Sequence, residues 1–179
     1  MDLFVIIWII TILLIMAIVA YGFPAMLAVG PIPAHKKGIA KALKLAEIKP
    51  NEKFYDLGCG DGRVLVEAVK KYNCYGIGYE LMLPYFLLAK TRAKFSGKSE
   101  KIDLRLKNIF KSDIENADVI FCFLSPGLMQ KMSKYLKTKK LKKGARMISY
   151  AFRVNDMEPA QKINQSKENW NIYLYKLKA

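Results

Sequence analysis

The sequence is poor in the side chains that bind transition metals: one histidine and three cysteines among 179 residues. His35 stands alone, and Cys59, Cys74 and Cys122 follow no metal-ligand spacing, so no zinc or iron–sulfur motif is present. An odd, scattered cysteine count also argues against a disulfide framework and fits a reducing compartment. Repeats and low-complexity tracts are absent. Residues 1 to 35 contain no Lys or Arg and a single acid, Asp2.

What the leader lacks, the body has in excess. All 30 Lys and Arg residues lie after residue 35, against 14 acids there, which concentrates a charge of +16 in residues 36–179. Apolar residues still make up 53% of the chain, which excludes the charge-rich, apolar-poor composition of intrinsic disorder. The length suits one domain with little room for a second.

Leu3 to Tyr21 is a run of 19 uncharged residues, 13 of them Leu, Ile, Phe or Val. As a helix it would extend about 28 Å, one hydrocarbon core. Its insertion would be favourable by about 4–8 kcal/mol at most. Thr11 is its one polar interruption, and its hydroxyl can bond back to the helix. A cleaved signal would need a basic n-region and a shorter apolar core. The reading favoured is a retained single-pass transmembrane anchor over residues 1–21, with a Gly- and Pro-broken linker over 22–35 and the body over 36–179. Lys36, Lys37, Lys41 and Lys44 follow the span while Asp2 precedes it, so the positive-inside rule predicts a body facing the cytoplasm.

In the body the hydrophobic period alternates between types. Residues 36–48 carry an amphipathic helical pattern, 53–57 a short strand, 63–72 a helix, 74–79 a strand and 84–94 a helix with Pro at its first turn. A weak strand at 103–106 precedes the continuous apolar run 117–124, of the kind buried on both faces of a parallel sheet. A helix over 127–137 and strands over 146–152 and 171–177 complete the pattern. Strands alternating with helices predict an α/β fold with a mostly parallel sheet.

The sharpest chemical signal is Asp56-Leu57-Gly58-Cys59-Gly60-Asp61-Gly62, joining the first strand to the next helix. Glycines at alternate positions allow a sharp turn and close approach of a ligand, and the helix start presents free N–H groups. A dinucleotide fingerprint would need glycine where Arg63 stands, and the Gly-Lys-Ser/Thr of a phosphate loop is missing. Glu80 closes the second strand 24 residues after Asp56, where an acid can accept hydrogen bonds from both hydroxyls of a ribose.

These residues resemble the class I S-adenosylmethionine-dependent methyltransferases, whose first motif DLGCGDG closely matches. The resemblance implies a Rossmann-like sheet, last strand antiparallel, with helices on both faces. It implies that Asp56 lies near the methionine ammonium, that Gly58 and Gly60 line methionine and ribose, and that Glu80 holds the ribose, with Cys59, Gly62 and Leu81 beside them. Asn108 stands where the family usually has an Asp that accepts from the adenine amino group; an Asn carbonyl can accept the same bond. Met82-Leu83-Pro84 replaces the usual Asn-Pro pair. The N-terminal span, GPIPAHKKG, DLGCGDGRV, GYEL, SPGLM and GARMISYAF together look like the membrane-anchored protein-lysine methyltransferases of the FAM173 type. Animal members of that family methylate lysines of the mitochondrial ADP/ATP carrier or of ATP synthase subunit c.

Methyl transfer from a sulfonium is an in-line displacement needing little acid–base help, so no residue is nominated as a proton-transfer catalyst. A lysine acceptor would enter an aromatic or carbonyl-lined slot, for which Ser125, Pro126, Tyr150 and Phe152 are placed at the ends of strands four and five. Ordinary core packing is the competing reading for the two aromatics. Residues 134–146 hold seven cations in 13 positions and no acid. A solvated face, contact with anionic lipid and nucleic-acid binding are the readings, the last the weakest because no aromatic interleaving supports it. Three functions are carried forward: a membrane-anchored lysine methyltransferase for a membrane or membrane-proximal protein, a methyltransferase for a lipid, quinone or other small hydrophobic acceptor, and a non-enzymatic cofactor-binding module.

Overall fold

The computed structural model describes residues 2–18, 20, 34–164 and 170–177. The chain divides into two compact units, Met1–Pro33 and Ala34–Ala179.

In the first unit, helix α1 covers Leu3–Ala17, 15 residues with none buried. Thr11 Oγ1 donates to the Ile7 carbonyl at 2.8 Å, so the one polar side chain of the apolar run is satisfied within the helix. The 19-residue span expected over Leu3–Tyr21 is not described at that length: Val19 and Tyr21 fall outside the described residues, as does the expected linker up to Pro33. Fifteen residues rise about 22 Å. Among the described residues no helix is long and apolar enough to cross a membrane.

The second unit is a seven-stranded sheet. Its elements are α2 (Lys36–Leu45), β1 (Lys53–Leu57), α3 (Arg63–Tyr72), β2 (Tyr75–Glu80), α4 (Leu83–Lys94), β3 (Ile102–Leu106), β4 (Val119–Cys122), α5 (Pro126–Lys137), β5 (Arg146–Ala151), β6 (Gln161–Asn164) and β7 (Asn171–Lys176). The strand order is β3-β2-β1-β4-β5-β7-β6. Strands β1 to β5 pair in parallel, and β7 runs antiparallel to both β5 and β6.

Side-chain alternation feeds two cores. On one face Phe54, Leu65, Val69, Phe121, Ile148 and Tyr150 pack with Leu43 of α2. On the other Leu57, Ile120, Cys122 and Met147 pack with Met129 and Met132 of α5. The apolar run 117–124 is therefore buried on both faces, but its strand is trimmed to Val119–Cys122. Asp118 ends it: its carboxylate accepts the Lys53 N–H at 2.9 Å and pairs with Lys142. Strand β6 carries no sequence pattern that announces it, because Gln161, Lys162 and Asn164 are exposed at the sheet edge.

Gly38 shows how closely α2 packs. A Cβ there would lie 2.0 Å from the Tyr150 hydroxyl oxygen.

Candidate functional site

Parallel strands β1 and β2 deliver Asp56 and Glu80 to the carboxyl edge of the sheet. Between them the chain turns at Gly58, Gly60 and Gly62, with φ of 82°, 55° and 76°, all in the left-handed region that favours glycine. Space constrains two of the three. A Cβ on Gly58 would meet Leu124 at 2.8 Å and one on Gly62 would meet the Ala89 Cβ of α4 at 3.0 Å, whereas Gly60 has nothing within 4 Å and borders open space.

The turn is held by β2. The N–H groups of Gly58 and Cys59 both donate to the Tyr79 carbonyl at 2.9 Å. Gly60 N–H donates to Glu80 Oε2 at 2.9 Å, while Leu81 and Met82 N–H donate to Oε1 at 2.8 and 2.9 Å. A buried carboxylate thus collects three backbone donors. With one bond on Oε2 and two on Oε1, the remaining acceptor capacity lies on Oε2, on the side of the glycine turn.

Asp56 is 2% exposed. Burial first, then the charges of Glu80 and Asp61, push its carboxyl up to about 8, against a partial opposing effect of the Leu65 N–H bond. Its Oδ2 is buried without a hydrogen-bond partner among the described residues. An orphaned carboxyl oxygen is expensive in a folded protein and suits a cationic donor brought by a ligand.

Asp61 clamps the turn from outside. Its carboxylate accepts from Arg63 Nη2 at 2.8 Å and Arg92 Nη2 at 2.7 Å, and Arg92 Nε donates to the Asp61 carbonyl at 2.9 Å. Burial would raise the Asp61 carboxyl, but the bonds and charge of Arg63 and the charge of Arg92 hold it below the usual range. In the sequence Arg63 serves only to exclude a dinucleotide site, and nothing there signals Arg92, which reaches the turn from 31 residues away.

The other expected site residues are placed as follows. Cys59 is buried, and burial with the charges of Asp56 and Glu80 pushes its thiol far above the usual range. Leu81 offers its N–H to Glu80 while its side chain is exposed. Asn108 follows β3, and its Oδ1 accepts the Phe110 N–H at 2.9 Å, leaving that oxygen one further acceptor position. Ser125 is exposed as the N-cap of α5 and Pro126 occupies its first turn.

Tyr150 does not line a slot. It is fully buried, its ring 4.9 Å from that of Phe123 and 6.0 Å from that of Trp170, so the core reading of this residue is the correct one. Phe152 is exposed, because Ala151 turns the chain with φ of 72° and the Ser149 hydroxyl donates to the Phe152 carbonyl. The half-buried Phe123 and Trp170, 5.2 Å apart, are the edge aromatics that sequence reading missed. Phe123 was hidden within an apolar run and Trp170 had no neighbouring motif.

The basic stretch 134–146 lies elsewhere. Helix α5 carries the chain from the carboxyl edge back to the amino edge, where β5 begins. Three of the seven cations are paired there: Lys139 with Glu115 at 2.8 Å, Lys142 with Asp118, and Arg146 with Glu52 at 2.6 Å. Lys134, Lys137, Lys140 and Lys143 remain exposed.

With this geometry in place, comparison with known proteins decides the family. The family model of the ANTKMT methyltransferase domain matches residues 56–161, from the acid of the glycine turn to the start of β6. The chain belongs to this family. It is 29% identical to a protein-lysine N-methyltransferase of Saccharolobus islandicus over 147 residues, covering 80% of this chain and 91% of that one. It is 27% identical to the mouse adenine nucleotide translocase lysine N-methyltransferase, covering 81% of this chain but only 62% of the mouse protein. Among solved structures, an RNA methyltransferase of Salinibacter ruber in complex with S-adenosyl-L-homocysteine superposes with a TM-score of 0.77 at 27% identity, covering 82% of this chain and 94% of that one. A methyltransferase of Geobacter sulfurreducens in the same kind of complex, at 16% identity and a TM-score of 0.60, shares the fold. The chain is a class I methyltransferase that uses S-adenosylmethionine.

Proposed function

We propose that this enzyme methylates the side-chain amine of a lysine in a membrane or membrane-proximal protein, and that its apolar N-terminal segment anchors it with the catalytic body on the cytoplasmic side. The cofactor half of the proposal is carried by Asp56 Oδ2, a buried oxygen without a partner among the described residues, beside a glycine turn that Glu80 holds open. The acceptor half is supported by the relatives in Saccharolobus and mouse, both lysine methyltransferases. Membrane attachment is supported by α1, whose Leu3, Phe4, Trp8 and Leu13 are more than half exposed.

The residues present fit the cofactor. Asp56 would receive the methionine ammonium and Glu80 Oε2 a ribose hydroxyl, while Gly60, bare on its open side, admits the ligand to the backbone. Gly58, Cys59, Gly62 and Leu81 would frame it, and Asn108 would face the adenine through its remaining acceptor position. S-adenosylmethionine supplies an electrophilic methyl on sulfur. The chain's part is to orient the acceptor amine in line and keep water out, with Ser125, Pro126 and Phe152 bordering the acceptor. We assign no proton acceptor among the described residues, so in this reading the amine arrives neutral or loses its proton to solvent.

Radiolabelled S-adenosylmethionine, incubated with the full chain and whole membranes, tests the reading. Label in a protein band, released as methyl-lysine on hydrolysis, supports it. Label in the organic extract indicates a lipid, quinone or other small hydrophobic acceptor. Label in RNA would align the enzyme with its Salinibacter ruber relative, and no transfer at all would indicate a binding module. Flotation of the full chain with vesicles after alkaline carbonate treatment tests the anchor separately.

A further inference from the structure

Helix α4 is apolar on the wrong side as well as the right one. Tyr85, Ala89 and Ala93 are its buried residues and face the protein, where Ala89 packs over Gly62. Leu87 lies two residues from each of Tyr85 and Ala89, about 200° around the helix, and so points away from the body. Leu83 and Leu87, one turn apart, are 52% and 53% exposed, Leu88 is 42% exposed, and Phe95 at the helix end is 81% exposed. Two alanines and a tyrosine inward, with leucines and a phenylalanine outward, leave more large apolar surface exposed than a helix on a water-facing surface requires.

The charges within this segment have one sign. Residues 81–98 contain Lys90, Arg92, Lys94 and Lys98 and no acid. Arg92 is engaged with Asp61, which leaves Lys90, Lys94 and Lys98 beside the apolar stripe. Exposed leucines and an aromatic flanked by lysines match an interface of acyl chains beneath anionic headgroups.

We infer that the outer face of α4 rests on an anionic lipid surface, with Leu83, Leu87, Leu88 and Phe95 at the headgroup–acyl boundary and Lys90, Lys94 and Lys98 among the headgroups. This rests on the proposed membrane attachment and specifies which side of the body meets the bilayer. The consequence for the reaction is geometric. Helix α4 begins three residues after Glu80, so the same contact brings the cofactor edge of the sheet to the membrane surface. An acceptor lysine would then be taken just outside the headgroups.

The test uses the full chain bearing an environment-sensitive fluorophore on Leu87→Cys, or on Gln130→Cys at an exposed position of α5 on the opposite face of the sheet. The native cysteines are all buried and compete little for the label. Vesicles of phosphatidylcholine with one-third phosphatidylglycerol carry a spin-labelled lipid with its nitroxide near the headgroups. In the floated fraction, the label at 87 is expected to shift to the blue and to be quenched at least threefold more than that at 130. Adding Lys90→Glu and Lys94→Glu should halve that difference or more. Equal, water-like emission from both sites in floated protein overturns the inference and leaves the anchor standing. Failure to float overturns the anchor, and this inference with it. A blue shift at 87 that grows with protein concentration in the absence of vesicles assigns the face to a second copy of the chain and overturns the lipid assignment.

Discussion

The amide of Gly60 donates to Oε2 of Glu80 across 2.9 Å, so the acid that closes β2 holds the middle glycine of the turn that leaves β1. The same carboxylate receives the next two backbone amides of the chain, just beyond the end of its strand. Glu80 therefore shapes the site before any ribose reaches it.

Removing that carboxylate should damage both fold and binding. Glu80→Ala leaves three buried or half-buried N–H groups without their acceptor, each worth about 1–3 kcal/mol if left unpaired. The expected result is a Tm lower by at least several degrees and S-adenosylmethionine affinity weaker by about 100-fold, read by thermal melting and calorimetry. Glu80→Asp shortens the reach to Gly60 and should fall between the two. Unchanged affinity in the Ala variant would remove Glu80 from the cofactor site.

Asp56 predicts a pH dependence with a defined sign. Its folded carboxyl stands at about 8 against an ordinary value of 3.8. Between those values the folded state holds the extra proton, so the stability of the free enzyme contributed by this group falls as pH rises from about 4 to about 8. Denaturant midpoints should show the decline, and Asp56→Asn should flatten it. A bound ammonium favours the ionised carboxyl, so cofactor binding in that window releases a proton. Affinity should then rise with pH and level off above about 8, with a limiting slope of tenfold per unit. Calorimetry at pH 6.5 in two buffers of different ionisation enthalpy measures the proton directly; equal apparent enthalpies would mean that Asp56 does not meet a cation.

The contact between α2 and β5 gives a prediction confined to stability. Gly38→Ala places a methyl 2.0 Å from the Tyr150 hydroxyl oxygen and 2.8 Å from the ring carbon that carries it. Overpacking of this kind destabilises by about 1–3 kcal/mol. Combining it with Tyr150→Phe removes the closer atom and should recover part of the loss. If the two substitutions simply add in chemical denaturation, the contact is not what makes glycine necessary there.

These cases show which features a sequence exposes. The alternation of strands and helices and the doubly buried β4 were legible, because burial on two faces leaves a continuous apolar run and a crossover helix leaves a period; the antiparallel last strand was expected only from the resemblance to the methyltransferases. Asp56, the three glycines and Glu80 could be singled out because they are contiguous with strand ends. Strand β6 was not legible, since an exposed edge imposes no pattern on Gln161 and Lys162. Tyr150 stayed open between slot and core for a related reason: strand alternation allows two faces, and the packing of Gly38, Phe123 and Trp170 shows that it takes the core one. Arg92 and Asp61 meet through tertiary structure alone. The basic stretch read as one patch, yet its cations divide between ion pairs and solvent according to which acids the fold brings near.

The pair formed by Arg146 and Glu52 provides the control that separates fold from chemistry. Arg146 meets Glu52 at 2.6 and 3.1 Å and also donates to the carbonyls of Ala46 and Glu47, tying the end of α2 to the starts of β1 and β5. Both side chains are less than one-fifth exposed. Breaking such a pair from one side strands the other charge, so Glu52→Ala should cost about 2–4 kcal/mol in denaturant unfolding. The pair sits at the amino edge of the sheet, while Asp56 and Glu80 lie at the carboxyl edge. S-adenosylmethionine affinity, measured well below the melting temperature, should therefore stay within twofold of the parent enzyme. A large loss of affinity at unchanged stability would mean that the two edges are coupled through β1, and that the amino-edge ion pairs belong to the working parts of the enzyme.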